Sequence, residues 1–166
     1  LKESGAGFTC CDYDKISDDG TPLNKVVRMP RTMTYEQYLS NTVIQTVGVL
    51  VDTKLVDRAL LRMPDIHLRE DAAAWLQILR SGAVFAGQNE VLARYRRAEG
   101  SLSSNKWRNL KQTWYLYRHV EKLPALQVLR HMTGWAWHAV RKRIYLPRCF
   151  GNVAQKKKEH AMTGSN

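Results

Sequence analysis

Residues 67–82 read HLREDAAAWLQILRSG, and the spacing of their apolar side chains decides how the surrounding chain is interpreted. From Ala72 to Leu79 these side chains recur every three or four residues, which is the period of an α-helix with one apolar face. Gly82 is of a residue type that commonly follows the end of a helix. The segment therefore predicts an amphipathic helix that buries one side and stops at Gly82.

Short apolar segments on both sides of this helix predict β-strands. TVGVLV at 46–51 is apolar and mostly β-branched, as in a strand buried within a sheet. The other segments of strand-like composition are 6–12, 25–29, 84–87 and 90–96. Strands mixed with helices indicate an α/β fold.

Two shorter helices are predicted from their first residues. TYEQYLSN begins at Thr34, and Gln37 follows three residues later, which is the spacing of a capping box. Asp52 or Thr53 can cap a second helix over 54–61. Both helices would lie between predicted strands.

The net charge of +11 is concentrated in the second part of the chain. Residues 1–93 contain ten Lys or Arg and twelve Asp or Glu, whereas residues 94–166 contain sixteen and three. So basic a segment predicts an anionic partner, which could be nucleic acid, a phospholipid surface or a phosphate-bearing substrate.

The basic part is predicted to form two helices, at about 104–122 and 124–145, with Pro124 at the start of the second. RHMTGWAWHAVRKRIYLPR at 130–148 combines two tryptophans with seven Arg, Lys or His residues. Such a helix can lie in the interface of an anionic membrane, or it can pack on the domain as one arm of a hairpin. Because no known nucleic-acid motif is present, nucleic acid is the less favoured partner.

The three cysteines, Cys10, Cys11 and Cys149, have no metal-type spacing and predict free thiols in the cytoplasm. No run of about 18 apolar residues is present, so no transmembrane helix is predicted. Because the chain does not begin with Met, we expect it to be part of a longer protein.

The acidic pair at the start of the central helix has two interpretations. Acidic residues in a first turn stabilise a helix by roughly 0.3–1 kcal/mol each, so Glu70 and Asp71 could be purely structural. However, Asp71 shares its side of the helix with Trp75 and Ile78 and therefore borders the apolar face. A carboxylate at such a place can accept a proton from a hydroxyl nucleophile.

Three segments in order resemble the second half of bacterial family 2 glycosyltransferases of capsule, teichuronic acid and lipopolysaccharide biosynthesis. They are NTVIQTVGVLVD, PDIHLREDAAAWLQILRSG and GQNEVLARYRRAEGSLSSNK. The resemblance implies an incomplete GT-A (Rossmann-like) domain that supplies the acceptor side. It also implies an inverting enzyme that moves a sugar from a nucleotide-sugar donor to a hydroxyl of a growing, lipid-linked saccharide. This fragment would then be inactive alone.

The resemblance also implies roles for individual residues. Asp71 matches the general base of the family, and Glu70 fills the acidic position before it. Trp75 matches an aromatic residue beneath the acceptor site, although a plain core residue would give the same pattern. Thr46 and Val47 match the strand that carries the floor of the sugar site.

A second matched segment concerns the donor. Arg94, Tyr95 and Arg96, followed by Ser101 and Ser103, match a segment that closes over the nucleotide diphosphate. Guanidinium groups and hydroxyls can offset the charge that gathers on a departing diphosphate. The alternative is a solvated basic turn.

Members of the family hold Mg²⁺ or Mn²⁺ with a DxD motif, and the metal assists departure of the diphosphate. DYD at 12–14 has that spacing. However, GFTCCDYDKISDDGTPL resembles the segment that follows the true motif, so Asp12 and Asp14 are not expected to be ligands. The metal ligands are then expected upstream, with none in this chain.

We therefore predict a glycosyltransferase portion over 1–103, a basic helical hairpin over 104–146 and a disordered basic tail over 147–166. The expected location is the cytoplasm, with peripheral contact on the cytoplasmic face of the inner membrane. The alternative is a non-catalytic basic module that binds nucleic acid or anionic membrane.

Overall fold

The computed structural model describes residues 4–66, 68–98 and 105–145, without the side chains of 106 and 139–145. Its strands are β1 (Phe8–Ile16), β2 (Pro22–Val27), β3 (Val49–Val51) and β4 (Phe85–Arg96). Its α-helices are α1 (Tyr35–Ser40), α2 (Glu70–Arg80), α3 (Lys106–Tyr115) and α4 (Ala125–Tyr145). The predicted α/β class is confirmed.

β1 is the centre of the sheet. Along one edge it pairs with β3 and then with β2, both antiparallel. Along the other edge it pairs with β4 in parallel, which the intervening helix α2 makes possible.

The helix predicted from 67–82 is confirmed as α2, and its apolar face is buried. Trp75 stacks on Phe8 of β1, with ring centroids 6.4 Å apart and an interplanar angle of 18°. Phe8 also meets the edge of Phe85 from β4 at 5.1 Å. These aromatic contacts join α2 to both parallel strands at the centre of the core.

The helix predicted from Thr34 is likewise confirmed as α1, capping box included. The backbone N–H of Gln37 donates to Thr34 Oγ1 at 3.2 Å, and the backbone N–H of Thr34 donates to Gln37 Oε1 at 2.9 Å. Two backbone N–H groups that would otherwise lack partners are thereby satisfied.

The prediction of a buried strand over 46–51 was wrong in length and burial. Residues Thr46–Gly48 form a 3₁₀ turn, and only Val49–Val51 pair with β1. The edge of β1 limits this strand, because β2 already occupies residues 13–16 of the same edge and leaves only the first part of β1 to β3. Leu50 is 61% exposed, so composition alone overestimated burial.

The predicted helix over 54–61 was also wrong. Asp52 does accept a hydrogen bond, from the backbone N–H of Lys54 at 2.9 Å, but it caps a turn rather than a helix. One 3₁₀ turn over Arg58–Leu61 follows, and Asp57 caps it by accepting from the backbone N–H of Ala59.

The segments 84–87 and 90–96 were predicted as separate strands but form the single strand β4. The pairing of β4 with β1 continues past the residues between the two segments, because the register of the pairing shifts there. Gln88 pairs with Cys11 and Val91 pairs with Asp12, so the residues between them form a bulge.

The predicted basic helices are confirmed within the described range as α3, a π-helical turn over Leu116–Val120, and α4. Buried side chains of these helices belong to the same hydrophobic core as those of the sheet. Tyr117 donates from its hydroxyl to the backbone oxygen of Leu39 at 2.5 Å, and His131 Nδ1 lies 2.9 Å from Ser40 Oγ. No helix of the described residues is long and apolar enough to cross a membrane. Cys149 and the predicted tail lie outside the described residues.

Candidate active site

The start of α2 has an unusual backbone. Leu68 and Arg69 both have positive φ, 68° and 71°, which side-chain-bearing residues rarely adopt. Arg69 occupies the N-cap position and makes no side-chain capping bond. Strain of this kind, on the order of 1 kcal/mol or more per residue, tends to occur at functional sites.

Asp71 lies in the first turn of α2 and is half-buried, whereas Glu70 is exposed. This confirms that Asp71 borders the apolar face of the helix. Asp71 Oδ1 accepts a hydrogen bond from the backbone N–H of Ala72 at 2.7 Å. The first turn thus fixes one carboxylate oxygen through its own backbone.

Two buried N–H donors near Asp71 have no hydrogen-bond partner among the described residues. They are Nε of Arg69 and Nε1 of Trp75. Trp75 is one helical turn after Asp71 and lies on the same side of α2. Buried donors are normally paired, so an oxygen atom of a ligand that reached either donor would be stabilised there.

Tyr38 of α1 is a further residue of this region, which the sequence did not indicate. Its side chain is completely buried, and this burial raises the pKa of its hydroxyl well above the ordinary value. The negative charge of Asp71 raises the pKa of Tyr38 further, whereas the positive charge of Arg69 acts in the opposite direction. Only the fold brings residue 38 within electrostatic reach of residues 69 and 71.

The predicted diphosphate residues are on the last part of β4. Arg94 Nε lies 3.3 Å from Asp14 Oδ2 of β1, and Arg96 donates to the backbone oxygen of Asp18. Both arginine residues are exposed, whereas Tyr95 is half-buried and packs against Tyr13 with ring centroids 6.0 Å apart.

In the described part of the chain, the hydrogen bonds and ion pairs of these two arginines are with Asp14 and Asp18 and not with Asp71. Ser101 and Ser103 of the predicted loop lie outside the described residues. Two clefts of about 410 Å³ each lie beside α3, and Asp71 lines neither. Their α3 residues are Trp107, Leu110, Lys111, Gln112, Trp114 and Tyr115.

Thr46 and Val47 are not in the predicted strand. Both belong to the 3₁₀ turn before β3, and both are exposed. The turn is packed closely on β1, since a Cβ atom at Gly48 would come within 2.9 Å of Cys11 Sγ. The assignment of these residues to a buried floor strand is therefore corrected.

The DYD segment does not fit a divalent metal. Asp12 is completely buried, and its oxygens accept from Arg28 at 2.7 Å and from the backbone N–H of Met29 at 2.6 Å. Asp14 pairs with Arg94. Burial raises the pKa of the nearby Cys10 thiol to about 11, which leaves it protonated. Within the described residues no group of three His, Cys, Asp or Glu could hold a metal.

Comparison with known proteins gives the class. The chain is 37% identical over 144 residues to the putative teichuronic acid biosynthesis glycosyltransferase TuaG of Bacillus subtilis, covering 87% of this chain and 56% of that protein. Both relatives are named glycosyltransferases, and the similarity supports a family 2 glycosyltransferase of the capsule and lipopolysaccharide type.

A second relative is the Escherichia coli UDP-Glc:alpha-D-GlcNAc-diphosphoundecaprenol beta-1,3-glucosyltransferase WfgD. It is 33% identical over 115 residues, which are 69% of this chain and 44% of that protein. The chain thus spans about half the length of the curated relatives it matches. No protein-family model and no solved structure matches the sequence.

Proposed function

We propose that the full-length protein is an inverting glycosyltransferase that moves a sugar from a nucleotide-sugar donor to a hydroxyl of a growing cell-surface polysaccharide. The acceptor would be lipid-linked and reached from the cytoplasm. The names of the two relatives support this proposal, because one names teichuronic acid biosynthesis and the other a UDP-glucose donor with a diphosphoundecaprenol-linked acceptor. In this account the chain is the acceptor-side portion of a GT-A fold.

The observation that carries the proposal is the arrangement around Asp71. Its half-buried carboxylate lies at a strained helix start, and two buried N–H donors, two residues before it and four residues after it in the sequence, lack partners among the described residues. Both nitrogens are unexposed in this structure, so a saccharide hydroxyl accepts from Arg69 Nε or Trp75 Nε1 only after a local movement at the helix start. Asp71 is the half-buried acid of that helix start.

The chemical step follows from that arrangement. Asp71 accepts the proton of the acceptor hydroxyl while the oxygen forms a bond to the anomeric carbon of the donor sugar. The bond from that carbon to the diphosphate breaks on the opposite face, and its electron pair leaves with the diphosphate. Attack from the opposite face inverts the anomeric configuration. We assign the proton transfer to Asp71 rather than to Glu70, because Glu70 is exposed to solvent.

The departing diphosphate is assigned to the end of β4. The side chain of Arg94 is 69% exposed, and it pairs with Asp14 at the long distance of 3.3 Å. A diphosphate would compete well for this guanidinium, because charge-assisted bonds to phosphate are strong. Arg96 and Tyr95, with Ser101 and Ser103, would complete this side of the site. Mg²⁺ or Mn²⁺ would be held by residues outside this chain.

The proposal is tested by comparing the full-length protein with the isolated chain. Radiolabelled UDP-glucose and a GlcNAc-diphosphate-lipid acceptor are the first donor and acceptor to use, since a relative's name specifies them. We expect sugar transfer by the full-length protein and none by the chain alone. Transfer by the chain alone would contradict its proposed role as one portion of the enzyme.

Arg69 offers a second test of the same site. Arg69→Lys keeps the positive charge but removes the Nε donor, so it should raise the KM for the acceptor in the full-length enzyme. The KM for the donor should stay the same, because the donor residues are on β4. Arg58→Lys, on the exposed 3₁₀ turn, is the matched control.

A further inference from the structure

The hairpin of α3 and α4 exposes an unusual number of large aromatic side chains. Trp107 is 75% exposed and Trp137 is 66% exposed, and Trp114 and Tyr115 are 40% and 47% exposed. Trp107, Trp114 and Tyr115 line one cleft, and we call them, together with the exposed Leu129 and Trp137 of α4, the aromatic surface. Exposed apolar side chains are common singly, but a group of this size marks an interaction site.

The two helices contribute jointly to this surface. A cleft of about 410 Å³ is lined by Trp107, Trp114 and Tyr115 of α3, and by Met132 of α4. Leu129 is three residues before Met132 and lies next to it on the exposed side of α4. The apolar side chains that the hairpin buries are different ones, namely Leu116, Tyr117 and Val128.

The exposed charges of the hairpin itself are positive, whereas Asp65, outside the hairpin, lines a cleft with Lys111 and Tyr115. Residues 105–145 contain nine Lys or Arg and one acid, Glu121. That acid is buried and paired with Arg80, so it does not offset the exposed cations. Among the hairpin side chains that the structure describes, the exposed cations are Arg108, Lys111, Arg118, Lys122 and Arg130. A partner that covers this surface must therefore tolerate, or require, positive charge.

We infer that the aromatic surface docks on an anionic phospholipid membrane. Tryptophan and tyrosine rings are stable at the depth of lipid headgroups, where the ring is apolar and the N–H or O–H group remains hydrated. Lysine and arginine beside them reach the lipid phosphates. α3 and α4 would then lie along the membrane with their exposed aromatic side chains among the headgroups. This inference does not depend on the proposed transfer reaction.

Vesicle sedimentation tests the inference directly. The full chain is mixed with vesicles of phosphatidylcholine alone, or with about 30% phosphatidylglycerol, at low and high salt. We expect sedimentation with the anionic vesicles only, weakened by salt. The double variant Trp107→Ala with Trp137→Ala should lose at least about tenfold in affinity. Lys111→Glu with Arg130→Glu should lose at least about 25-fold, because each cation near such a surface contributes about fivefold.

Matched controls lie on the sheet domain. Leu50→Ala with Leu92→Ala removes exposed apolar side chains elsewhere, and Lys25→Glu with Lys54→Glu reverses exposed cations elsewhere. Circular dichroism shows whether each variant is folded. The controls should bind anionic vesicles as the unaltered chain does.

Three results would overturn the inference. The first is equal binding of phosphatidylcholine and anionic vesicles, or no loss in the aromatic and cationic variants. The second is tighter binding to a single-stranded oligonucleotide, lost in the same variants, without vesicle binding. The third is self-association of the chain that the tryptophan variant abolishes, again without vesicle binding.

Discussion

The hydroxyl of Tyr35 donates to the carboxylate of Glu121, with 2.7 Å between Tyr35 Oη and Glu121 Oε2. Arg80 reaches the same oxygen at 3.0 Å. Because Tyr35 begins α1, Arg80 ends α2 and Glu121 follows the π-helical turn, this one buried acid joins three parts of the fold.

Glu121→Ala should destabilise the chain by about 2–4 kcal/mol, because it leaves the Tyr35 hydroxyl and the Arg80 guanidinium without their acceptor. The free energy of unfolding in urea measures this loss. Glu90→Ala, which removes an exposed acid from β4, should change it by less than about 0.5 kcal/mol. Equal effects of the two substitutions would show that Glu121 is not a structural junction.

Asp12 should behave as a structural acid and not as a metal ligand. Asp12→Asn weakens the contacts with Arg28 and the Met29 backbone, and should destabilise the chain by about 2 kcal/mol. Neither EDTA nor excess Mg²⁺ should change the Tm of the unaltered chain. A Tm that Mg²⁺ raises in the unaltered chain, but not in Asp12→Asn, would identify Asp12 as a ligand.

Gly87 should not tolerate a side chain. A Cβ atom there would lie 1.9 Å from the backbone oxygen of Pro30, so Gly87→Ala forces β4 away from the neighbouring backbone. We expect a loss of about 3 kcal/mol in the free energy of unfolding. Gly20→Ala is the control, because that site has open space and only a positive φ of 89° to strain it. Its expected loss is about 1–2 kcal/mol.

The chain should lose stability in alkaline solution. Burial raises the pKa of Cys10 to about 11 and also raises the pKa of Tyr13, Tyr35, Tyr38 and Tyr117 above their ordinary value. Above about pH 9 the unfolded chain therefore releases protons that the folded chain retains. The contribution of these groups to the free energy of unfolding should be constant below this pH and fall as the pH rises, by up to about 1.4 kcal/mol per unit and group.

Urea unfolding at about pH 8 and about pH 10.5 measures this fall, and the part of the tyrosinate absorbance that comes from these four tyrosines should appear only as the chain unfolds. The same free energy at both pH values would contradict the burial of these hydroxyl and thiol groups.

Local features of the sequence predicted local structure well. The capping box of α1 and the apolar face of α2 depend on residues three or four positions apart, and both are present as predicted. The position of Asp71 at the edge of that face followed from the same periodicity. The short length of β3 was not predictable, because it depends on a distant segment, β2, which occupies the second half of the same edge.

The contacts that complete the candidate site connect distant residues. The electrostatic coupling of Tyr38 to Asp71 depends on how α1 packs, and the pairing of Arg94 with Asp14 depends on a parallel register. Neither is encoded in the spacing of nearby residues. The sequence therefore indicated which residues carry chemistry, and the fold was needed to show which of them meet.

The central claim is that Asp71 removes the proton from the acceptor hydroxyl. Its most direct test is kcat of the full-length enzyme with Asp71→Asn, a substitution that keeps the shape of the side chain and removes its basicity. We predict that kcat falls by about 10²–10⁴-fold, the usual contribution of a general base, while Glu70→Gln stays within about threefold of the unaltered enzyme. An Asp71→Asn enzyme that retains kcat within about threefold, or a Glu70→Gln enzyme that suffers the larger loss, would contradict the assignment.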